Sequence, residues 1–222
     1  MNLKLGKTIG KGGQSEVVCA TWDDSKYALK LFQNDKVYEK ELKVLKDIKN
    51  NNCQHLAKYY FTTKIRDRWC GILLHLYGID VRKGIKQYFQ DWESPAQMPI
   101  ANINRLALKM LKCIEEIHSL GYVHCDIKPE NFMYTKDGSD TDDIVLIDFG
   151  MVHKYRDSKN KHIQYGQAED FKGTPSFSSL GSLKGFIQSR RDDMEAFWYI
   201  LMYASTGELP WQKYREIADY QD

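Results

Sequence analysis

A chain of 222 residues with 42% hydrophobic and 28% charged side chains has the composition of an ordinary folded protein, long enough for one sizeable core or for two lobes sharing a cleft. Its 32 Lys and Arg against 30 Asp and Glu leave a net charge of +2, which excludes a global field that would gather nucleic acid or an anionic membrane. Five cysteines without a CxxC pair argue against a disulfide framework and a zinc site and point to a reducing, intracellular setting, cytoplasm or nucleus.

The opening MNLKLGKTIG alternates apolar and polar residues like a strand and carries no apolar region of a signal peptide. Residues 3–32 read as three strands, LKLGKTIG, SEVVCATW and KYALKLF, joined by the turn chemistry of KGGQ and DDS. The pattern becomes helical from 35 to 49, and strands return at LAKYYFTT and WCGILLHLY. Together these make a small, mostly β lobe with one helix.

After Gly78 the texture changes. Residues 102–120 place Leu106, Met110, Leu111, Ile114 and Ile117 at helical spacing, with Gly121 as the stop. Short strands at FMY and IVLID flank TKDGSDTDD, which reads as a solvated hairpin loop. A long segment of little periodicity follows Gly150, and a helix spans about 190–206. Within it the run AFWYILMYA, residues 196–204, is far shorter than the ~18 residues of a membrane span and reads as a buried helix.

Several residues carry chemistry. Gly10, Gly12 and Gly13 of IGKGGQSEV fall in a turn between strands, where backbone N–H groups can approach phosphate oxygens. Alternation puts Lys30 on one face of its strand with Ala28, opposite Leu29 and Leu31. In the helix at 35–49, Glu41 falls inside the apolar stripe of Val37, Tyr38, Leu42, Val44, Leu45 and Ile48, whereas Glu39 falls among lysines. An acid aimed at a core needs a cation, so Glu41 is the expected partner of Lys30. In VHCDIKPENF, Asp126 and Asn131 stand five apart in a loop, and IDFG puts Asp148 at the end of an apolar strand. Oxygen-bearing side chains converging with phosphates would suit Mg²⁺, leaving Asp126 to accept a hydroxyl proton and Lys128 to neutralise the transferred group.

The ordered set of glycine turn, strand lysine, helix glutamate, HxDxKxxN, DFG and a later GT resembles the eukaryotic-type protein kinases. VHKYRD, GTPSFSSLGSLKG, SRRDDMEAFWYILMY and TGELPWQ are similar to casein kinase 1 and the vaccinia-related kinases. The resemblance implies an α+β, bilobal kinase-like fold forming a single domain over 1–222, with a small β-rich N-lobe to about residue 77 and a mainly helical, shortened C-lobe. It implies a serine/threonine protein kinase using ATP and Mg²⁺ on protein substrates, with Lys128 fitting the serine/threonine pattern. The alternative is a pseudokinase scaffold that binds nucleotide or a partner without turnover.

On that resemblance Asp126 is the catalytic base, Asn131 and Asp148 are the magnesium ligands, and Lys30 pairs with Glu41 and the α- and β-phosphates. Thr174 buttresses Asp126, and Asp193 holds the catalytic loop. Adenine would lie between Ile9, Val17 and Ala28 on one side and Met133 on the other, with Leu74 as gatekeeper and His75 and Tyr77 offering hinge backbone groups. Departures from the pattern are Ser15 at the third loop glycine, Cys125 in place of an arginine that pairs with a phosphorylated activation segment, Ser176 at an anion-site arginine, and Trp198 at a usual glycine, which implies local repacking. Lys154, Arg156, Lys159, Lys161, Lys184, Arg190 and Arg191 keep the substrate side basic, favouring acidic substrates. The few residues after LPWQ leave three readings open: a minimal kinase, a protein partner covering the shortened lobe, or a sequence cut short.

Overall fold

The computed structural model describes residues 3–13, 15–65, 68–89, 98–136, 138 and 142–212. The chain divides into two compact units, residues 1–77 and 78–222.

The first unit is a five-stranded antiparallel sheet with one helix. Strands β1 (Lys4–Lys11), β2 (Ser15–Trp22), β3 (Ser25–Phe32), β4 (Tyr59–Ile65) and β5 (Trp69–His75) lie in the order β1-β2-β3-β5-β4. Asp23 and Asp24, with φ of 50° and 57°, make the two-residue turn between β2 and β3, a left-handed pair whose twist matches that of the strands it joins. On one face Val18, Ala20, Leu29, Leu31 and Leu73 form a core cluster, edged by Trp22, Tyr27, Phe61 and Trp69. Helix α1 (Asp35–Asn50) starts where the Asn34 side chain accepts the N–H groups of Lys36 and Val37, the usual remedy for unpaired donors at a helix start. Its buried residues are Glu41, Leu42, Val44, Leu45 and Ile48, so the expected stripe, acid included, is the one that turns inward.

The second unit is mainly helical. Helix α2 (Val81–Gln87) is capped by Asp80, whose side chain accepts the Lys83 N–H; it is absent from the expectations above. Helix α3 (Ile100–Ser119) buries Leu106, Met110, Ile114 and Ile117 as expected, together with Ile103 and Cys113, and the chain turns away at Gly121 with φ of 83°. Strand β6 (Tyr122–Val123) pairs with β9 (His153–Lys154), and β7 (Phe132–Tyr134) pairs with β8 (Ile144–Leu146). After a four-residue helix, α4 (Leu180–Leu183), helix α5 (Arg190–Thr206) opens with a reciprocal cap between Ser189 and Asp192 and closes at Gly207, φ 81°.

Three expectations change. The run 196–204 is half-buried, not buried: Phe197, Ile200, Tyr203 and Ala204 face inward, while Trp198 is 62% and Met202 39% exposed. An unbroken apolar run on a helix still winds around its axis every 3.6 residues, so one face meets solvent whatever its composition. Trp198 therefore requires no repacking of the core. The loop TKDGSDTDD is not uniformly solvated, since Asp142 is 5% exposed and accepts the Gly138 N–H; its residues 137 and 139–141 lie outside the described ones, as do Gln14 of the glycine turn and residues 213–222, on which the expectation of a shortened lobe rests. No helix among the described residues is long and apolar enough to cross a membrane.

Candidate active site

In the first unit the sequence-predicted pair is formed. Lys30 Nζ donates to both carboxylate oxygens of Glu41 at 2.8 Å each, with the side chains 7% and 2% exposed. Register puts Gly10 opposite Val17, Val17 opposite Lys30, and Ala28 opposite both Cys19 and Leu74. Residues directly opposite in a sheet share a face, so Lys30 stands in the same cross-strand row as Gly10, which lies within β1 and not in the turn itself. Ile9 is 45% exposed and Ala28 is 9% exposed.

Gly10, Gly12 and Gly13 answer no steric need. A Cβ at Gly13 would meet nothing within 4 Å, and one at Gly10 or Gly12 would make only ordinary contacts, the nearest at 3.6 and 3.7 Å. None of the three has positive φ. What their missing side chains leave is open approach to the backbone, the property a phosphate cradle needs.

At the end of β5 the His75 N–H donates to the Lys58 carbonyl at 2.9 Å, so the backbone group His75 can present is its carbonyl. Burial, and after it the charge of Lys58, holds the His75 imidazole below its ordinary value. Burial likewise raises the Tyr77 phenol, whose oxygen accepts the Lys58 N–H.

The second unit assembles the remaining polar residues around Asp126, which is 6% exposed. Its Oδ1 accepts the Thr174 hydroxyl at 2.8 Å. Its Oδ2 meets Lys128 Nζ at 2.7 Å and the Asn131 amide at 3.1 Å. Lys128 Nζ donates in turn to Thr174 Oγ1 at 2.9 Å, so Thr174 both accepts and donates within one closed ring. Asn131 also donates to the Asp126 carbonyl at 2.7 Å. Two carboxylate oxygens offer about four acceptor positions, and three are filled by these donors, leaving Oδ1 room for one more.

Two residues in left-handed backbone bracket this loop and the DFG turn: Cys125 with φ 68° and Asp148 with φ 65°. Such conformations cost energy for residues with a Cβ and persist where the surroundings enforce them. At Cys125 the enforcement is visible. Asp193, 1% exposed, accepts the His124 N–H on Oδ2 at 2.8 Å and the Cys125 N–H on Oδ1 at 3.0 Å. His153 Nε2 lies 2.9 Å from the Gln188 carbonyl and donates there, its Nδ1 lies 3.3 Å from Cys125 Sγ, and the thiol also reaches the Val123 carbonyl at 3.6 Å.

Two histidines in this network carried no assigned role in the sequence. His118, in the last turn of α3, donates from Nε2 to Asp193 Oδ2 at 2.8 Å. His124 directs Nε2 to the Ile147 carbonyl at 3.1 Å and accepts the Asp126 N–H on Nδ1 at 3.3 Å. For His118 the available signal was a polar residue on an otherwise apolar helix face, six residues ahead of the HCD loop.

The donor set suits a hard divalent cation. Asn131 turns its amide nitrogen to Asp126, which leaves the amide oxygen, and the Ile147 N–H donates to the Asn131 carbonyl at 2.9 Å, tying Asn131 to the residue before Asp148. Asp148 is exposed. One amide and one carboxylate oxygen fit magnesium, which keeps most of its octahedron for water and phosphate. Met133 is half-buried on β7, opposite Val145.

The sequence pattern of the protein kinase domain matches residues 3–222. The chain belongs to the protein kinase family. Its two units correspond to the β-rich N-terminal sheet and helical C-terminal part of that domain. Kinases of this family act on proteins and generally use ATP with magnesium.

Proposed function

We propose that this kinase is a serine/threonine protein kinase of the casein kinase 1-like type, transferring the γ-phosphoryl group of ATP to protein hydroxyls. The observation that carries the reading is the closed ring of Thr174, Asp126, Lys128 and Asn131. A carboxylate fixed by a hydroxyl, an ammonium and an amide, with one acceptor position left, is built to orient a substrate hydroxyl and take its proton. Lys128, already on that carboxylate, supplies positive charge for the phosphoryl oxygens as they approach. In the first unit Lys30, oriented by Glu41, holds the α- and β-phosphates, and the open backbone of Gly10, Gly12 and Gly13 covers them. The His75 carbonyl and the Tyr77 backbone meet the adenine edge, with Ile9, Val17, Ala28 and Leu74 as the apolar wall that the first unit supplies. Asn131 and Asp148 hold the magnesium ion, which when bound neutralises charge on the phosphates.

Exposed Lys159, Lys161, Lys184 and Arg191 support a preference for acidic protein substrates. The five free cysteines support an intracellular setting. The test is transfer of labelled γ-phosphate to casein and to the chain itself with Mg²⁺, beside Asp126→Asn and Asp148→Asn. Label on serine and threonine that falls at least about 100-fold in Asp126→Asn is the expected result. Bound ATP without any transfer by the unaltered chain would return it to the scaffold reading.

A further inference from the structure

The second unit holds a concentration of positive charge that the ring around Asp126 does not use. The end of α3, the chain from β9 to Asn160 and the start of α5 enclose a groove of about 800 Å³ lined by His118, Lys154, Tyr155, Arg156, Asn160 and Arg190, among others. Its floor is fixed. Tyr155 is 3% exposed, and its hydroxyl donates to the His118 carbonyl at 2.9 Å. The Arg190 guanidinium stands 4.5 Å and that of Arg156 5.3 Å from the Tyr155 ring centre. Arg156 also donates to Asn160 Oδ1 at 3.0 Å, and Lys154 lies over the Tyr122 ring at 5.5 Å.

These three cations have no carboxylate in ion-pair reach among the described residues, although Arg191, the next residue, meets Asp192 at 3.5 Å. The nearby acids are otherwise engaged. Asp157 Oδ1 accepts the N–H groups of Lys159 and Lys161, Asp192 is held by Ser179 and Ser189, and Asp193 holds the catalytic loop. Two carboxylates on the lining, Glu115 and Asp157, oppose an incoming anion, and of these Asp157 is already turned to two backbone N–H groups. Arg190 stands, moreover, in the first turn of α5, where the helix dipole disfavours a cation. Two guanidiniums drawn to one ring repel each other, and the ring quadrupole offsets only part of that. An anion shared between them removes the conflict.

We propose that this groove binds a phosphorylated serine or threonine within a peptide segment, with the phosphate on Arg156, Arg190 and Lys154. A phosphate monoester brings nearly two charges and three acceptor oxygens, which match two planar guanidinium forks and an ammonium better than one carboxylate does. The groove is far larger than a phosphate alone, leaving room for flanking residues of the peptide. Phosphorylated protein is also the product class of the family to which the chain belongs.

The experiment is fluorescence anisotropy of a labelled peptide with a central phosphothreonine, titrated with the full chain in the absence of nucleotide, so that the outcome is independent of any phosphoryl transfer. Arg156→Gln and Arg190→Gln should each weaken binding by at least about tenfold. Lys46→Gln, exposed on the first unit, should leave it unchanged, inorganic phosphate should compete, and the unphosphorylated and glutamate-substituted peptides should bind at least about tenfold more weakly. Glu115→Gln, which touches neither arginine, should tighten binding about two- to threefold. The proposal is overturned if the glutamate peptide binds as well as the phosphopeptide, or if both arginine variants bind as the unaltered chain does. Should those variants melt early, Glu115→Gln decides, and unchanged affinity there rejects the site.

Discussion

Lys30 and Glu41 are both buried, and the ammonium is bound to both oxygens of the carboxylate. Taking one charge away breaks a buried ion pair and leaves the other charge uncompensated by it, a loss of about 3–5 kcal/mol, whereas replacing both by apolar residues of similar size can be close to neutral. Lys30→Met and Glu41→Leu should therefore each destabilise the chain strongly, and the double variant less than either. Urea unfolding of the four proteins measures the coupling; additive losses would show that the pair is not a unit. This pair was legible before any coordinates because two periodicities met on it, alternation in the strand and the 3.6-residue repeat in the helix. Thr174 was legible only through family resemblance, since nothing local distinguishes its hydroxyl from that of Thr206. His118 carried a local hint, a polar side chain on an apolar face, but its partner lies 75 positions away and no spacing rule reaches that far.

At the scale of the element, the long helices declared themselves and the short ones did not. Helix α3 offered five turns of pattern; α2 offered seven residues, interrupted by Gly84, with only Val81 and Ile85 to mark a face. A Cβ at Gly84 would press on the Tyr134 ring at 2.8 Å, so that glycine is explained by close packing the sequence could not reveal. The two-residue strands β6 and β9 are below the length at which alternation can be read. In α5 the error was of another kind, composition taken for burial. Neighbouring residues make the distinction measurable. Phe197 is 2% exposed and Trp198 62%, so Phe197→Ala should cost about 3–5 kcal/mol, while Trp198→Gln should stay within about 0.5 kcal/mol of the unaltered chain. Chemical denaturation of both variants decides, and equal losses would place both rings in a core.

For the molecule as a whole, a net charge of +2 makes acid sensitivity a matter of individual groups. His75 is one whose sign can be worked out. Burial first, and the Lys58 charge second, keep its imidazole below the ordinary range in the folded chain, whereas the unfolded chain takes up that proton near pH 6.5. Its contribution to stability is therefore complete above about pH 6.5 and is lost as pH falls through the folded value. Melting temperature should drop between pH 7.5 and pH 5.5, and the drop should be smaller in His75→Gln; parallel curves would remove His75 from the account. The Tyr60 hydroxyl, 3.0 Å from His75 Nδ1, is both donor and acceptor, so it can stay on the ring in either protonation state by rotating its O–H bond.

Asp193 ties together residues 118, 124 and 125 from within the first turn of α5. In the time domain this makes an irregular loop behave like a core helix. The amide protons of His124 and Cys125 sit outside regular hydrogen-bonded structure, where exchange with deuterated water is ordinarily fast, yet neither can be released without loosening Asp193 from its helix. Their exchange should track the slowest, global opening of the second unit, and in Asp193→Ala it should accelerate to the pace of a loop while the amides of α3 remain slow.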